Sequence, residues 1–383
     1  MPLARRYPLS FYLAVAANFF FFAGFQWTYV TLPGYIQRIG GDATQIGLAY
    51  GLTTLSAVAV RLPLGRIVDA WGRKLILLAG AAIFTLVPVC YTLTTSLLPF
   101  MAVQLLRGLG LAAFTTAYTA LVADLAPPVR RGEAIGLSGV TNNVGMLFAP
   151  ALGAIVQARS GYTIHFWVAA CITAASLVAL LPIAEPAQAK SALQDGPGLS
   201  TVARLRPVWV ATLASTGLAV AYGAALSFLA PFAEERGLTA AGGYFSAFAL
   251  ATMAVQAAAG WLSDRIGRRA VALPGLLVTA GAMVGLTRAH TDVALLAAGA
   301  GLGLSWGLLR AGLDAAVVDS VSPDSCGKAL AVLYTCFDAG IGVGSFGLGV
   351  VAQAGGYAAA FSTAAIWTMI AVAGFLVWGR RRL

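Results

Sequence analysis

GRIVDAWGRK at residues 65–74 and GWLSDRIGRR at residues 260–269 decide the fold of this chain. Laid on one another they fix an offset of 195 residues, and the offset persists well beyond them. Asp124 falls on Asp319, Pro128 on Pro323, Gly132 on Gly327, Gly161-Tyr162 on Gly356-Tyr357 and Phe166 on Phe361. Glycine and alanine coincidences are cheap in a chain rich in both. Matches of Asp, Arg, Pro, Tyr and Phe at one unchanged offset are not. The chain therefore reads as two tandem copies of one unit.

Composition says what solvent those units meet. Hydrophobic residues make up 59% of the 383, charged residues 10%, and the mean hydropathy is +0.84. A soluble domain carries roughly 25% charged residues. A globule this apolar could not cover its surface with polar groups, so the excess must face lipid. A bilayer-crossing helix needs about 20 apolar residues, and twelve stretches qualify. Six fall at about 9–33, 45–66, 74–96, 98–123, 133–158 and 163–182. Six more fall at about 206–232, 240–262, 270–288, 293–318, 328–352 and 357–378. Residues 1–30 imitate a secretory signal, with Arg5 and Arg6 before an apolar run and Ala14-Val15-Ala16. The run continues through Phe19, Phe20, Phe21, Phe22 and Phe25, which is too long for a signal core, so an uncleaved first helix is expected. The expected fold is an all-α integral membrane protein of twelve helices in two pseudo-symmetric six-helix bundles. Residues 1–182 form the first bundle, 183–205 a cytoplasmic linker and 206–383 the second.

The net charge of +10 could suggest a nucleic-acid partner, but its distribution excludes one. Short loops alternate between basic and nearly uncharged. Of 24 Lys and Arg, 17 fall on one set of loops and tails and four on the other, namely Arg38, Arg159, Arg236 and Arg288. This is the positive-inside pattern. It places both termini in the cytoplasm of a multi-pass protein of the inner (plasma) membrane. Arg61, Arg107 and Arg310 fall inside predicted helices.

The two decapeptides resemble the loop signature of the major facilitator superfamily, which joins helices 2 and 3 and recurs between helices 8 and 9. Both copies here sit in those places. The resemblance covers nearly the whole chain and implies a secondary transporter whose halves are related by an axis along the membrane normal, with its substrate site near the midplane between them. A second series, Gly136, Gly145, Ala149-Pro150 and Gly153-Ala154, resembles the helix-5 motif of twelve-helix drug:proton antiporters, with two usual glycines replaced by alanine. The helix-4 pattern departs further. Gln104 stands where that family has an arginine four residues before Gly108, and Arg107 follows three residues later.

Read physically, Gly65, Gly72, Gly260 and Gly267 allow tight turns between helices. Asp69 puts a carboxylate where the positive end of a neighbouring helix can meet it. The resemblance pairs Arg73, followed by Lys74, with Asp124. Asp264, Arg268, Arg269 and Asp319 repeat the set, and the whole is expected to gate the cytoplasmic side. Charges deep in membrane helices are costly and usually functional. Arg310 and Asp314, four apart, share a helix face. Arg310 lies about 13 Å in from Asp319, and Asp338 about 15 Å beyond Lys328, at 1.5 Å per residue. Asp338 is the first candidate proton carrier, and Asp314 with Arg310 the second. Gln26, Arg107, Asn142, Asn143, Tyr222 and Tyr334 are candidates to line the cavity. In the helix-5 series, Gly136, Gly145 and Gly153 are expected to let that helix approach a helix of the other half, with Pro150 bending it.

Other chemistries find no support in the residues. Gly342, Gly344 and Gly347 imitate a dinucleotide fingerprint but follow no strand; Gly340 and Gly344, four apart, read as close helix packing. Cys90, Cys171, Cys326 and Cys336 form no metal-ligand spacing, and His165 and His290 read as surface residues at helix ends. No enzyme, metal or organic cofactor is expected, with protons as the coupling ion. The partners are a small-molecule substrate and the bilayer, and the chain acts as a monomer. The expected function is proton-coupled export of a small, amphipathic molecule by alternating access. An uptake permease on the same fold and a non-transporting sensor or assembly protein are the alternatives. Reporter fusions after Leu383 and within residues 193–200 should both read cytoplasmic; an external reading at either would refute the twelve-helix count.

Overall fold

The structure is a computed structural model and describes residues 7–127, 130–185, 199–322 and 325–378. Arg5, Arg6, Pro128, Lys190, Pro323 and Arg380 to Arg382 lie outside the described residues, as do the side chains of Arg66, Asp69 and Arg131. The described residues form α-helices and no strand. In chain order these are α1 (Leu9–Trp27), α2 (Leu32–Arg38), α3 (Ala43–Trp71), α4 (Arg73–Leu93), α5 (Leu97–Leu125) and α6 (Arg131–Leu180). After the short α7 (Leu199–Ala203) come α8 (Arg206–Glu235), α9 (Ala241–Ile266), α10 (Arg268–Thr287), α11 (Asp292–Asp319), α12 (Cys326–Gly355) and α13 (Tyr357–Trp378).

Ten of these helices are long and apolar enough to cross a bilayer, and the bent α9 is an eleventh. The 50-residue α6 holds two crossings, because Gly161 interrupts it with φ 77° and ψ 176°. The described residues thus supply twelve crossing segments. Helices are the form such segments must take, since lipid offers nothing to bond a free backbone N–H or C=O. The outside confirms the solvent: Leu98 is 82% exposed, with Leu93, Val293 and Val343 close behind.

The first predicted span is broken. α1 stops at Trp27, residues 28–31 turn, and α2 resumes at Leu32. Pro33 has no N–H to continue the α1 ladder and is favoured in the opening turn of a new helix. Thr28 adds a side-chain bond, its hydroxyl donating to the Phe25 carbonyl at 3.2 Å.

The sequence repeat is also a backbone repeat. Gly72 (φ 93°, ψ 156°) matches Gly267 (φ 96°, ψ 150°), and Gly161 matches Gly356 (φ 79°, ψ 168°). This region of backbone space belongs to glycine. At each matched position the chain turns from one crossing segment into the next.

Contacts divide the chain into two compact units: Met1–Tyr35 with Leu55–Ala192, and Ile36–Thr54 with Leu193–Leu383. In the first, α1 packs along α6 and α4 along α5. Its core is aromatic: Phe21 stacks on Phe114 with centroids 3.7 Å apart and meets Phe84 at 4.5 Å. In the second, α9 and α10 pack on α11, and α8 on α12 and α13. Gly340 and Gly344 set the α8–α12 distance. A methyl at either would come within 3.0 Å of Ala219 or Val220, so the pair serves close packing as its spacing suggests. The α4–α5 seam depends on Gly80, where a Cβ would lie 2.6 Å from the Phe114 amide nitrogen and 3.0 Å from the Gly110 carbonyl. Gly80→Val should cost about 1–3 kcal/mol by overpacking and lower the thermal midpoint in detergent. Gly281→Ala, with no atom within 4 Å of the added methyl, should leave the midpoint unchanged or raise it.

Candidate functional site

The loop signatures build matching ion clusters in the two units. Arg73, at the start of α4, points Nε at Asp124 Oδ2 on the end of α5, 2.9 Å away. Arg268, at the start of α10, points Nε at Asp319 Oδ2 on the end of α11, also at 2.9 Å. Lys74 Nζ donates to the Leu181 carbonyl at 2.8 Å, and its counterpart Arg269 donates to Leu376, the residue equivalent to Leu181, at 3.4 Å. Arg268 also pairs with Asp264 one turn back on α9. The carboxylate of Asp69, which should do the same for Arg73, lies outside the described residues. Gly65 and Gly260 have open space where a side chain would begin. Next to the first cluster, Arg130 bonds Glu133 and holds its carboxyl below the usual carboxylate range.

One member of the first cluster escaped the sequence reading. Glu185, just past the sixth crossing, turns back to the N-terminus of α4. Its Oε1 accepts from the Arg73 amide at 2.6 Å and its Oε2 from the Lys74 amide at 2.8 Å. A carboxylate on the free amides of a helix start satisfies orphan donors and meets the positive end of the helix dipole. The equivalent position in the second copy is Arg380, a residue with no carboxylate to offer. The only sequence signal was an acid at the edge of a polar linker.

The helix-5 series lies in the first unit and packs there. A Cβ on Gly145 would meet Gln26 Oε1 at 2.9 Å and the Ala23 amide at 3.4 Å, and one on Gly153 would run into the Trp27 carbonyl. Gly136 has nothing within 4 Å. The close approach of Gly145 and Gly153 is therefore to α1 of their own unit, a correction to the expected contact with the other half. The two helices run side by side inside one bundle, which spacing alone could not tell. Pro150 lies within α6 between these two contacts. Polar pairs line the same seam: Gln26 Nε2 donates to Asn142 Oδ1 at 2.5 Å, and Asn18 donates to Thr141 Oγ1 at 3.0 Å. Asn143 is half-buried one residue on.

Arg107 is 2% exposed, wedged against Phe25 and Phe84 with its charged carbon 4.8 Å and 5.9 Å from the ring centres. Its Nη2 donates to Thr28 Oγ1 at 3.0 Å and to the Phe25 carbonyl at 3.3 Å. Among the described residues no carboxylate pairs with it. The guanidinium instead takes up the carbonyl that the end of α1 leaves free. His165, read from sequence as a surface residue, is fully buried. It sits on the second α6 segment, whose apolar run gives no hint of which face looks inward. His290 is exposed.

The second unit gathers the charges predicted at mid-membrane. Arg310 Nη2 lies 3.3 Å from Asp314 Oδ2, and the Tyr334 hydroxyl donates to that same oxygen at 3.0 Å. Asp314 Oδ1 is buried with no hydrogen-bond partner. The Arg310 guanidinium stacks over Tyr334 at 4.3 Å and reaches Phe337 at 5.8 Å. Trp306, one turn before Arg310, meets Tyr222 at 4.9 Å, Phe337 at 5.3 Å and Phe248 at 5.6 Å. Asp338 is half-buried, one turn after Tyr334 on the same face of α12. The second candidate, Asp314 with Arg310, thus lies in an aromatic-walled patch, and Asp338 follows one helical turn after its Tyr334. Trp306 and Phe337 carried no charge or polar motif and were invisible as site residues.

The two ion clusters differ in burial, and the difference is measurable. Arg73 and Asp124 side chains are 7% and 17% exposed, Arg268 and Asp319 22% and 57%. Breaking a buried pair strands a charge and costs about 3 kcal/mol, whereas an exposed pair is worth about 0–1 kcal/mol. Asp124→Asn should therefore lower the thermal midpoint clearly more than Asp319→Asn. Equal shifts would show that the buried pair is no more than a surface bridge.

The Major Facilitator Superfamily model matches residues 14–255 and 239–383. Over 200 residues the chain is 26% identical to the multidrug resistance protein MdtL of Escherichia coli, an alignment spanning 52% of this chain and 51% of MdtL. Over 133 residues it is 26% identical to an uncharacterized MFS-type transporter of Methanocaldococcus jannaschii, spanning 35% of this chain and 34% of that protein. The chain thus matches at most about half the length of these relatives. A crystal structure of the nucleoside transporter NupG superposes with a TM-score of 0.84 at 13% identity, covering 97% of this chain and all of that one. A bacterial homolog of the human lysosomal transporter Spinster superposes at 0.80 with 16% identity, covering 97% and 96%. At such identities the likeness is one of fold. With the repeated loops, the twelve crossings and the family match in agreement, the chain belongs to the Major Facilitator Superfamily, a family of multi-pass membrane transporters.

Proposed function

We propose that this transporter exports small, amphipathic molecules in exchange for protons, by alternating access, with both termini in the cytoplasm of the inner membrane. The observation that carries the reading is the patch of Arg310, Asp314, Tyr334 and Asp338. A carboxylate out of water favours its protonated form, and a nearby cation opposes that shift. Asp314 is pinned by Arg310, so Asp338 is the better carrier and Asp314 the reserve. Proton uptake at Asp338, one turn from Tyr334, would disturb the Tyr334–Asp314–Arg310 chain and change the charge met by a bound molecule. The wall of Trp306, Tyr222, Phe248 and Phe337 offers faces for a flat apolar body, and the charges beside it hold a polar end. Such a wall suits varied substrates, as the name of the relative MdtL also suggests for that protein. The direction rests on the helix-5 series. Gly136, Gly145, Pro150 and Gly153 resemble the helix-5 motif of drug:proton antiporters, and Gly145 and Gly153 seat α6 tightly against α1.

The loop clusters serve as the gate on the cytoplasmic side. Arg73 with Asp124, and Arg268 with Asp319, fix the helix ends that must move as rigid pieces when that side opens. Two experiments test the reading. In proteoliposomes with an imposed pH gradient, Asp338→Asn should abolish pH-driven flux while leaving substrate exchange; full pH-driven flux in both Asp338→Asn and Asp314→Asn would remove these carboxylates from coupling. Right-side-out vesicles loaded with a candidate substrate should lose it faster under an inward proton gradient. Accumulation from outside under the same gradient would replace the exporter with a symporter.

A further inference from the structure

The lipid-facing side of the second unit is not smooth. Where α10 packs along α13, a trough of about 580 Å³ opens near the end of α10 that lies away from its Arg268 cluster. Its flanks are aliphatic: Val284 from α10, with Ile366, Met369 and Ile370 from α13, all exposed. No aromatic ring is among the described residues that line it. Along α13 the trough runs from Ser362 to Ala373, about 16 Å at 1.5 Å per residue. Half of a ~30 Å hydrocarbon core is about 15 Å, so the trough is as long as one leaflet is deep.

A charge stands at its mouth. Arg288 directly follows the last residue of α10, is exposed, and lines the trough. A long basic side chain in this place can lay its stem on apolar surface and carry its head to the membrane–water boundary. Among the described residues no carboxylate pairs with Arg288. The carbonyls at the end of α10 are answered by another residue, Arg236, which donates to Thr287 at 3.1 Å and to Ala289 at 2.7 Å. Arg236 thereby sets a second cation beside the first. The nearby acids are engaged elsewhere. Asp292 accepts from the Thr239 and Ala240 amides, and Glu234 and Glu235 lie within electrostatic reach of Tyr357. The hydroxyls of the trough donate within their own helices, Thr287 to the Val284 carbonyl and Ser362 to the Ala358 carbonyl. What remains is an aliphatic slot with a cationic position at one end.

The repeat supplies an internal comparison. At the offset of 195 residues, Arg288 falls on Leu93, Ser362 on Trp167 and Ile366 on Cys171. Leu93 and Trp167 are both exposed. The first copy thus carries neither the cation nor the small residue at the corresponding mouth. A feature demanded by the shared frame would recur at both places, and this one does not.

We propose that the trough is a binding site for one anionic phospholipid, with its phosphate on Arg288 and an acyl chain between α10 and α13. Charge complementarity selects this occupant, since a basic residue near a membrane surface attracts anionic lipid. The aliphatic slot takes a flexible chain, unlike the aromatic wall around Trp306, which suits a flat body. Arg288 also belongs to the loops that hold only four of the 24 Lys and Arg, so a lipid anion there meets few competing cations. The site stands apart from the direction and coupling proposed above. To test it, the full chain is reconstituted in phosphatidylcholine vesicles with a trace of phosphatidylglycerol that carries a photoreactive diazirine in mid-chain. After irradiation, label should concentrate within residues 284–288 and 362–373. It should exceed the label from phosphatidylcholine with the same tail about fivefold, the preference expected of one basic residue at a surface. Arg288→Gln should bring the two lipids level. Arg159→Gln, which removes an exposed charge from the other unit, should leave the preference intact. Ser362→Trp, which closes the mouth with the side chain found at Trp167, should reduce labelling by both lipids. Equal labelling in the unaltered chain would make the trough an ordinary bilayer contact and overturn the proposal, as would a preference that survives Arg288→Gln. Absence of label from these residues, with the solubilised chain running as a dimer, would overturn it in favour of a second copy on this face.

Discussion

Lipid cannot hydrogen-bond a backbone, and the rest of this structure follows from that. A chain that crosses twelve times can stop or bend only where freed N–H and C=O groups are taken up by the protein itself. The places where it does so are sharply defined. Gly72 and Gly267 turn the chain between crossings in a conformation open to glycine, and Gly161 and Gly356 do the same at the next matched pair. Some of the freed ends are then secured by side chains. Glu185 takes the first amides of α4, Lys74 takes the Leu181 carbonyl, and Arg107 takes the Phe25 carbonyl at the end of α1.

That constraint explains what could be read from the sequence. The end clusters were legible because few residue types can build them, and gene-length duplication prints them twice. Arg73 and Asp124 could be paired on paper because Arg268 and Asp319 repeat them at the same offset. The charge-bearing faces of α11 and α12 were legible for a related reason, since an Arg or Asp in an apolar helix has no innocent place to point.

What stayed hidden shares a physical cause. A helix in lipid is apolar on its outer face as well as its inner one, so hydrophobic periodicity no longer distinguishes them. His165 looked like a helix-end surface residue and is buried. Gly145 and Gly153 revealed a close approach but not its partner, which is α1. Phe21 belongs to an unbroken aromatic run with no marked face, yet it stacks on Phe114 and packs against Phe84. Glu185 had no repeated partner to expose it. The break after Trp27 could have been found: Pro33 inside a predicted span was its signal.

The duplication also locates where specialisation lies. At the ends the Arg–Asp pairs keep residues and bond length, and the turn glycines keep their backbone angles. In the middle they part company. Arg310 and Asp314 correspond to Thr115 and Thr119, Tyr334 to Gly139, and Trp306 to Leu111. In the other direction Arg107 corresponds to Leu302 and His165 to Ala360. The first unit thus holds a buried cation answered by carbonyls and hydroxyls, and the second a cation answered by a carboxylate. Asp338 and Asn143 occupy one equivalent position, polar in both copies but able to lose a proton in only one. A symmetric scaffold with symmetric charges would give both halves the same response to a proton. Unlike charges on like frames mean that a change of charge at equivalent positions meets different surroundings in the two halves.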